Sequence, residues 1–577
     1  MVRTVFTGAT VDSFEAEIVG VVPGGRTEGT LIVARATGER VARTGIAAGM
    51  SGSPVYVGGR LAGALSTGWA FNREPFFGVT PIREMLKVLD QPAEDMPGPS
   101  SGPSGADPTG APGEPRFREL RWDEPGEAAD AEAPVGSPPS PASAAAGSMT
   151  PLPLPLMCGG LHPLAATLAS EWLSPLGFAA VPGGAAPDSA PDSADLEPGA
   201  AVAVDVVRGD LQFSAIGTLT YRDGDRVLIF GHSFFQAGDV RMPLSTARIV
   251  GIIPSQQSSF KLGVRGREVG AVFQDRRSGV AGRLGLRAHM LPVRVEVTGA
   301  RRGEQVFRFE TIEDRGLAPA AIGIASANSL LESGGVGANQ TLRWTLRLDR
   351  TGAEPLVLSD VVAGDTPIQE LVAAVSGPLR FLFANPFERL ELDSVRVRIS
   401  AEAGRRAWTL RGARLLEAAV RPGSQVRVAC ELERWRGPRE TRILTMDVPE
   451  ELPDGRYTVW VGGGSELSRY EATRLPGRYR VTSFDDAWRR LAATRSSDAL
   501  YAAIFARAPE VSGDGRDYPE LPLSALSLMA SEQTAADRSR RGDLAWVDER
   551  SVPFDGALHG EMIVNLVVDS RAPAGAP

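Results

Sequence analysis

The chain has 577 residues, which is enough for several domains because a single hydrophobic core rarely grows beyond roughly 250 residues. Its 61 Lys and Arg residues are outnumbered by 70 Asp and Glu, and the net charge is −9. Positive residues form no run that could neutralise a nucleic-acid backbone, so nucleic-acid binding is not expected. Nearly all positive charge is arginine, since Lys87 and Lys261 are the only lysines.

Cysteine and histidine usage excludes two further classes. Cys158 and Cys430 lie far apart, which excludes a disulfide framework, and four scattered histidines exclude a structural zinc site. No apolar stretch of about 18 residues is present, so no transmembrane helix is expected. We therefore predict no cofactor, no metal and no membrane-spanning segment.

Residues 1–90 predict a small β domain. β-Branched residues in period-two alternation, separated by glycine turns, indicate short strands. A proline at the first turn predicts a helix over Pro81–Leu89. The predicted strands are Thr4–Phe6, Phe14–Val22, Gly29–Arg35, Val55–Val57 and Leu61–Ser66.

The segment from Gln91 to residue 150 is rich in Pro, Ala, Gly, Ser and acidic residues. Such a segment buries too little apolar surface to offset the entropy of ordering, so it is predicted to be a disordered linker. Residues 151–345 then predict a second β lobe, with a helix over His162–Leu176 and a short linker over 182–198. An Asp-Gly turn at Asp223-Gly224 indicates a hairpin between the strand Ala215–Tyr221 and the strand beginning at Arg226.

The remainder predicts two more regions. Residues 346–477 alternate as an all-β segment and are expected to form an immunoglobulin-like sandwich. Residues 478–577 are expected to be helical, with helices at Phe484–Leu491 and Asp498–Arg507, and to end in a strand over Met562–Val568 that pairs with an earlier strand. The predicted fold class is mostly β.

The segment Gly49–Pro54, followed by a hairpin turning at Gly58-Gly59, is the strongest functional motif. Glycines let the chain turn sharply, so that Ser51 Oγ points outward as a nucleophile while the backbone N–H groups of Gly49 and Ser51 converge on one point. Such a point is an oxyanion hole. The alternative is an ordinary Gly/Ser turn between two strands.

A serine nucleophile needs a base, usually histidine, and residues 1–161 contain none. The candidates are His162, His232, His289 and His559. His232 is favoured because it ends the apolar strand of the predicted hairpin. The first barrel of a chymotrypsin-like peptidase carries its catalytic base at such a position. The alternative is a histidine that closes a strand and bonds to the backbone.

The third member of a triad must accept a hydrogen bond from Nδ1 of the imidazole. Asp275, 43 positions after His232 at a strand end, is the first candidate, and Asp239 is the second. A surface ion pair of Asp275 with Arg276 or Arg277 is an equal alternative, and a Ser–His dyad is also open.

These residues resemble the SpoIVB peptidase family, bacterial serine peptidases of the chymotrypsin-like clan. The resemblance is carried by Gly49–Ala64, by residues 78–86, and by the blocks Phe230–Phe235 and Gly270–Gly282. It implies a two-lobed β-barrel peptidase in which Ser51 and His232 act together. Two features depart from the family's pattern. The serine lobe precedes the histidine lobe, and the segment just upstream of the serine turn contains Glu39 but no aspartate. No PDZ-like segment is recognisable.

The sequence therefore predicts a serine endopeptidase acting on a protein or peptide substrate, with an inactive relative serving as an envelope-associated binding or scaffold protein as the alternative. Because relatives of this family usually work outside the cytoplasm, we expect an upstream extension that encodes a signal peptide. Without such an extension, a cytoplasmic protein is expected.

Overall fold

The structure is a computed structural model of the chain. It describes residues 1–577 except 24–28, 70–73, 92–118, 123–149, 153, 175–177, 184–195, 256–258, 336, 338, 475–478, 508–509, 514–515, 519–520, 523, 526–538, 543 and 574–577. Most of the predicted linkers over 91–150 and 182–198 thus lies outside the described residues.

The described part of the chain is mostly β, with several sheets and few helices. The elements up to residue 182 are β1 (Val2–Thr4), β2 (Asp12–Val22), β3 (Leu31–Thr37), α1 (Glu39–Thr44), β4 (Pro54–Val57), β5 (Arg60–Gly68), β6 (Phe76–Pro81), α2 (Ile82–Leu89), β7 (Arg121–Trp122), β8 (Thr150–Pro151), β9 (Leu154–Gly159), α3 (Pro163–Leu173) and β10 (Phe178–Pro182). The next elements are β11 (Ala201–Gly209), β12 (Gln212–Asp223), β13 (Arg226–Ile229), β14 (Gly238–Ile253), β15 (Phe260–Arg276), β16 (Gly279–Leu284), β17 (Leu291–Thr298), β18 (Gln305–Thr311), α4 (Leu317–Glu332), β19 (Gln340–Asp349), β20 (Leu356–Val362) and α5 (Pro367–Phe383). The last elements are β21 (Ser394–Ala403), β22 (Ala407–Leu415), β23 (Gln425–Arg434), β24 (Arg439–Asp447), β25 (Gly455–Gly462), α6 (Gly464–Arg474), β26 (Arg480–Val481), α7 (Phe484–Ala492), β27 (Ala499–Ala506), β28 (Glu510–Gly513), β29 (Arg516–Tyr518), β30 (Ser539–Gly542), β31 (Ala545–Pro553), β32 (Ala557–His559) and β33 (Glu561–Val568).

The chain divides into two compact units. Unit 1 comprises residues 1–108, 131–294 and 307–331, and unit 2 comprises residues 109–130, 295–306 and 332–577. Every residue of the predicted site (Ser51, His232, Asp275 and Asp239) belongs to unit 1.

In unit 1 the first six strands pair in the order β4-β1-β2-β3-β6-β5, and β5 returns to β4. β4 and β1 pair in register at Val2 and Val55, and Tyr56 N–H donates to Met1 O beside that pair. Side chains that point inward from these strands form one buried cluster around Phe14, Phe77 and Leu65. Four of the five predicted strands are confirmed, with ends that move by at most two residues, and the helix over Pro81–Leu89 is confirmed as α2. The fifth, Thr4–Phe6, lies too late in the chain and shares only Thr4 with β1.

The second part of unit 1 is a six-stranded antiparallel β-barrel. Its strands follow the cycle β11-β12-β13-β16-β15-β14, and β14 closes onto β11 through Val202 and Thr246. The hairpin predicted at Asp223-Gly224 is confirmed, since β12 and β13 pair from Leu219 to Arg226 across that turn. The predicted helix His162–Leu176 is confirmed as α3.

Main-chain hydrogen bonds join these two parts of unit 1. Gly8 and Ile249 form an isolated bridge, and the Ala48 N–H and C=O bond to Ser259 O and to Lys261 N–H. The helix α2 adds an apolar contact, since Met85 and Val88 share a buried cluster with Leu228. The two parts of unit 1 are therefore joined by backbone bonds and by a shared apolar cluster.

In unit 2 two four-stranded sheets enclose one core. The first has the order β24-β23-β22-β32 and the second β31-β27-β25-β33, and inward residues such as Val428 and Val459 belong to the same buried cluster. The final strand pairs with β25, as predicted. The strands of this sandwich run from Ala407 to Val568, so it begins later than the expected boundary at 346 and extends beyond the one at 477.

Three secondary-structure predictions are wrong. Residues 346–475 are not all β, because α5 and α6 lie within them. Asp498–Arg507 is not a helix: its alanines suit one, but as β27 it is buried between β25 and β31, and tertiary packing overrides weak local propensity. Residues 478–577 are not a helical region, because most of their described residues lie in the strands β26 to β33. The sequence analysis also does not predict α4, a helix that is nearly all buried.

A short described part of the predicted linker is packed. Arg121 and Trp122 pair with β26, and the Trp122 ring stacks on Phe381 with 4.4 Å between ring centroids.

Within the described residues, no helix is long and apolar enough to cross a membrane, and no group of potential metal ligands is found. Cys158 and Cys430 are buried free thiols.

Candidate active site

The turn that carries Ser51 is fixed by its own backbone and by strand β12. Ser53 N–H donates to Met50 O at 2.9 Å, and Gly52 N–H donates to Leu65 O at 2.8 Å. From β12, Thr218 N–H donates to Ser51 O at 2.9 Å and Thr220 Oγ1 donates to Gly52 O at 2.7 Å. Each carbonyl that the turn presents to the barrel is thus hydrogen-bonded.

Gly52 is required because the turn approaches the barrel closely. Its φ of +93° is a left-handed conformation, and a Cβ built there would lie 2.1 Å from Thr218 O and 2.6 Å from Phe230 N. No side chain fits at those distances. The glycine that follows the serine therefore allows backbone-to-backbone docking of the turn on β12 and β13.

Ser51 and His232 meet across this junction. Ser51 Oγ lies 2.9 Å from His232 Nε2, although 181 positions separate the two residues in sequence. His232 follows β13 after Phe230 and Gly231, which both have positive φ, and Thr80 Oγ1 donates to Gly231 O at 2.7 Å. The turn after β13 thereby directs the imidazole at the serine.

The hydrogen bonds of His232 determine its tautomer. Nδ1 lies 2.7 Å from Ser233 O, and a carbonyl oxygen can only accept, so Nδ1 carries the proton. Nε2 is then unprotonated and accepts from the Ser51 hydroxyl. This is the tautomer that a general base requires.

Burial controls the charge of His232. The residue is 6% exposed and Ser51 is fully buried. Desolvation lowers the pKa of His232 from 6.5 to about 4, and the bond to Ser233 opposes that shift only in part. The imidazole is therefore neutral over the physiological range.

The expectation that Asp275 accepts from His232 Nδ1 requires correction. The Asp275 carboxylate instead accepts from the backbone N–H groups of Phe234 and Phe235, both at 2.6 Å, and of Ala237 at 3.2 Å. Burial raises the pKa of Asp275, and these backbone N–H groups oppose the rise. Asp275 is buried rather than on the surface, and it holds the loop that follows His232.

Asp239 does not take that place either. Its Oδ1 accepts from Gln274 Nε2 and, at 3.1 Å, from Arg276 Nη2. The surface ion pair with Arg276, the alternative role of Asp275 in the sequence analysis, is thus made by Asp239. The acceptor at Nδ1 is a main-chain carbonyl, which no residue type in the sequence could reveal.

The other three histidines lie elsewhere. His162 caps α3, where its Nδ1 accepts from Leu164 N–H at 3.3 Å. His289 is exposed, 3.7 Å from Glu313, and His559 belongs to unit 2. Glu39, the acid nearest to the serine turn in sequence, is exposed on α1.

Two backbone N–H groups are available beside Ser51. Among the described residues, no acceptor is found for the N–H of Gly49 or of Ser51. A trans peptide points its C=O and N–H in opposite directions. Because Ala48 O accepts from Lys261 N–H and Met50 O accepts from Ser53 N–H, the Gly49 and Ser51 N–H groups are turned away from those partners. These are the two groups predicted as the oxyanion hole.

Comparison with protein-family models, with curated proteins and with solved structures gives no match.

One residue near the turn was not singled out from sequence as a site residue. Lys261 on β15 is fully buried, and its Nζ donates to Thr4 Oγ1 at 2.7 Å and to Thr218 Oγ1 at 3.4 Å. A lysine between Phe260 and Leu262, in a chain whose positive charge is almost all arginine, is the signal that could have identified it.

Gly52→Ala should destabilise the protein strongly, whereas Gly58→Ala should have a smaller effect. Both glycines have positive φ, but a Cβ at Gly58 has nothing within 4 Å while one at Gly52 meets the backbone of Thr218 and Phe230. We expect about 1 kcal/mol for Gly58→Ala and more than about 3 kcal/mol for Gly52→Ala, measured by denaturant unfolding. Equal losses would contradict the close docking of the turn.

Asp275→Asn should lower the unfolding free energy by about 2–3 kcal/mol, because an amide replaces one of the two acceptor oxygens by a donor facing backbone N–H groups. Asp239→Asn is the matched control, since its carboxylate is bonded to side chains at a partly exposed position, and a loss below about 1 kcal/mol is expected. A loss no larger for Asp275→Asn than for the control would exclude a loop-holding role.

Proposed function

We propose that this protein is a serine peptidase in which Ser51 is the nucleophile and His232 is the general base. The observation that carries the proposal is the 2.9 Å contact of Ser51 Oγ with His232 Nε2, in the tautomer that accepts the serine proton. The partners fixed at Nδ1 and at the serine turn support it, since both groups are oriented before any substrate binds.

The reaction follows from these positions. His232 Nε2 takes the proton of Ser51 Oγ as the oxygen attacks the carbonyl carbon of a peptide bond. The resulting oxyanion accepts from the N–H groups of Gly49 and Ser51. When the tetrahedral intermediate collapses, the imidazolium returns its proton to the departing amine, and an acyl ester remains on Ser51. Water activated by the same imidazole then hydrolyses the ester.

The carbonyl partner of Nδ1 distinguishes this site from a triad. A carboxylate would stabilise the imidazolium by its negative charge, whereas Ser233 O offers only a dipole. Burial lowers the pKa of His232, and the bond to Ser233 O raises it only in part. We therefore assign a Ser–His dyad with a main-chain acceptor in place of a triad.

We also propose a chymotrypsin-like fold for the two β lobes and a relationship to the SpoIVB peptidases. Two β lobes with a site between them are the arrangement of chymotrypsin-like peptidases, and the motifs at Gly49–Ala64 and Phe230–Phe235 resemble the SpoIVB peptidases. The serine lobe comes first in this chain, but both residues meet from opposite sides of one junction, as in that clan. Export and signal processing, as in that family, are part of the same proposal.

A second function is favoured by burial. Ser51 has no exposed surface and His232 has little, so a peptide carbonyl reaches Ser51 Oγ only after the surrounding residues move. A protein that never makes that movement would be a catalytically inactive relative that serves as a binding or scaffold protein. The peptidase proposal thus requires an opening of the site.

Reaction with a fluorophosphonate probe tests the proposal. The full chain should be labelled at Ser51, and Ser51→Ala and His232→Gln should lose at least about 99% of the labelling rate, as expected for a nucleophile and its base. Ser326→Ala is the control, because Ser326 is another fully buried serine of unit 1, whose Oγ bonds to Ile322 O within α4. Labelling that survives in Ser51→Ala would exclude Ser51 as the nucleophile, and no labelling of the unaltered chain would leave the binding or scaffold function.

The acid limb of the labelling rate should lie near pH 4 to 5. The pKa of His232 is lowered to about 4, so Nε2 stays unprotonated, and able to accept the serine proton, well below pH 6.5. The same shift makes the fold less stable as the pH falls from 6.5 towards 4, because the unfolded chain binds the proton more readily. An acid limb at pH 6.5 in a folded protein would contradict the burial of the imidazole.

A further inference from the structure

Lys261 is a buried amine that the proposed reaction does not use. It lies on β15 beneath the serine turn, with no exposed surface. Its Nζ is within hydrogen-bond distance of the hydroxyls of Thr4 on β1 and Thr218 on β12. Its side-chain stem packs on Gly49, where a built Cβ would lie 3.2 Å from Lys261 Cβ.

No described acid pairs with this amine. The elements around it are the turn, β1, β12 and the neighbouring strand β14, which places Ile252 opposite Lys261. The charged residues on these strands have other partners or are exposed. Arg3 pairs with Glu197 at 2.7 Å, Asp223 with Arg226 and Asp239 with Arg276. Arg222 donates to Gly224 O, and Arg241 and Arg248 are exposed. The titratable group on the other side of the turn is His232, which is neutral. Lys261 is thus surrounded by hydroxyls and apolar groups.

A lysine at this position differs physically from the arginines used elsewhere in the chain. Guanidinium stays charged in any protein environment, whereas a buried amine can lose its proton. Burial lowers the pKa of Lys261 from 10.5 to about 7. Both charge states are therefore populated near neutral pH.

The contacts of Lys261 converge on the peptide groups of the turn. Its backbone N–H donates to Ala48 O and so sets the direction of the Gly49 N–H. Thr218, which can accept from Nζ, donates its own hydroxyl proton to Gly49 O at 3.2 Å and its N–H to Ser51 O at 2.9 Å. Thr4 accepts from Nζ and also from Ser53 Oγ, at 3.0 Å. The amine is thus one hydroxyl away from Gly49 and from Ser53.

We propose that Lys261 is a positioning residue of the Ser51 site, whose ammonium holds the turn through Thr4 and Thr218 and places positive charge behind the N–H groups of Gly49 and Ser51. This inference rests on the proposed function. It goes beyond that function because it makes the reaction depend on a second titratable group outside the Ser–His pair.

The charge of Lys261 makes both the labelling rate and the stability depend on pH. The ammonium form is present below about pH 7, so the labelling rate should fall as the pH rises through that value. The unfolded chain keeps its lysine protonated up to about pH 10.4. The unfolding free energy contributed by Lys261 should therefore rise with pH between those two values.

The test compares the full chain with Lys261→Met, which keeps a long apolar stem without charge, over pH 5 to 9. At pH 6 the variant should react with a fluorophosphonate about ten- to a hundredfold more slowly, the size expected for misplacing a reacting group. Its rate should not fall across pH 7, and its unfolding free energy should lose the rise above that pH. Lys87→Met is the matched control, because Lys87 is the other lysine of the chain and is exposed beside Glu84 on α2.

Thr218 provides a second comparison. Thr218→Val removes the hydroxyl that links Nζ to Gly49 O and should reproduce the slower rate, while Thr218→Ser keeps the hydroxyl and should restore it. A rate profile of the same shape in Lys261→Met and in the unaltered chain would overturn the inference and leave the peptidase proposal standing. If the unaltered chain is not labelled at any pH, the proposed function fails and this inference fails with it.

Discussion

The site depends on the docking of one turn, Gly49–Ser53, onto two strands of the barrel. Gly52 approaches the backbone of Thr218 and Phe230 so closely that no side chain can stand there. β12 binds the carbonyls of Ser51 and Gly52, and β13 leads into His232. The same contact that joins the two parts of unit 1 therefore sets the distance between serine and histidine. A substitution at this junction should therefore change both the unfolding free energy and the reactivity of Ser51.

The imidazole is held by main-chain groups rather than by an acidic side chain. Ser233 O fixes the Nδ1 proton, and Asp275 fixes the loop that carries Ser233 by accepting several backbone N–H groups. The aspartate thus acts on the histidine through the loop. A carbonyl gives orientation without a compensating charge, and burial then lowers the pKa of His232. The loop thus determines the orientation of the imidazole, and burial determines its basicity.

Two buried basic groups lie on opposite sides of the serine turn, and burial lowers the pKa of both. His232 is nearly sequestered and Lys261 is fully so, and neither is paired with a described acid. Polar groups in such places are costly unless they are hydrogen-bonded. Here the partners are hydroxyls and carbonyls of the turn and its neighbours. Burying these two groups costs stability at the place where the proposed chemistry occurs. Titratable groups with strongly shifted pKa values commonly indicate a functional site.

Much of the local structure follows from the sequence. Most of the strands predicted in residues 1–90, the hairpin at Asp223-Gly224, the helix α3 and the last strand are confirmed, because alternation, turn chemistry and a proline at a helix start act over a few residues. The pairing of Ser51 with His232 was also predicted, since a glycine-flanked serine and a histidine after a hairpin are local signals. Apolar segments without clear alternation predict secondary structure less well. The sequence of Asp498–Arg507 predicts a helix, but the segment is buried between two strands and forms β27.

The tertiary structure alone decided the remaining features. That Nδ1 bonds to Ser233 O, and not to Asp275, depends on how the loop after His232 folds around a carboxylate 43 positions away. That Lys261 lies beneath the serine turn depends on the docking of β15 against Ala48, which no periodicity encodes. A sequence records which groups are present and how neighbouring residues alternate. Only the closed barrel determines which main-chain carbonyls and buried amines those groups meet, because such contacts join segments that are distant along the chain.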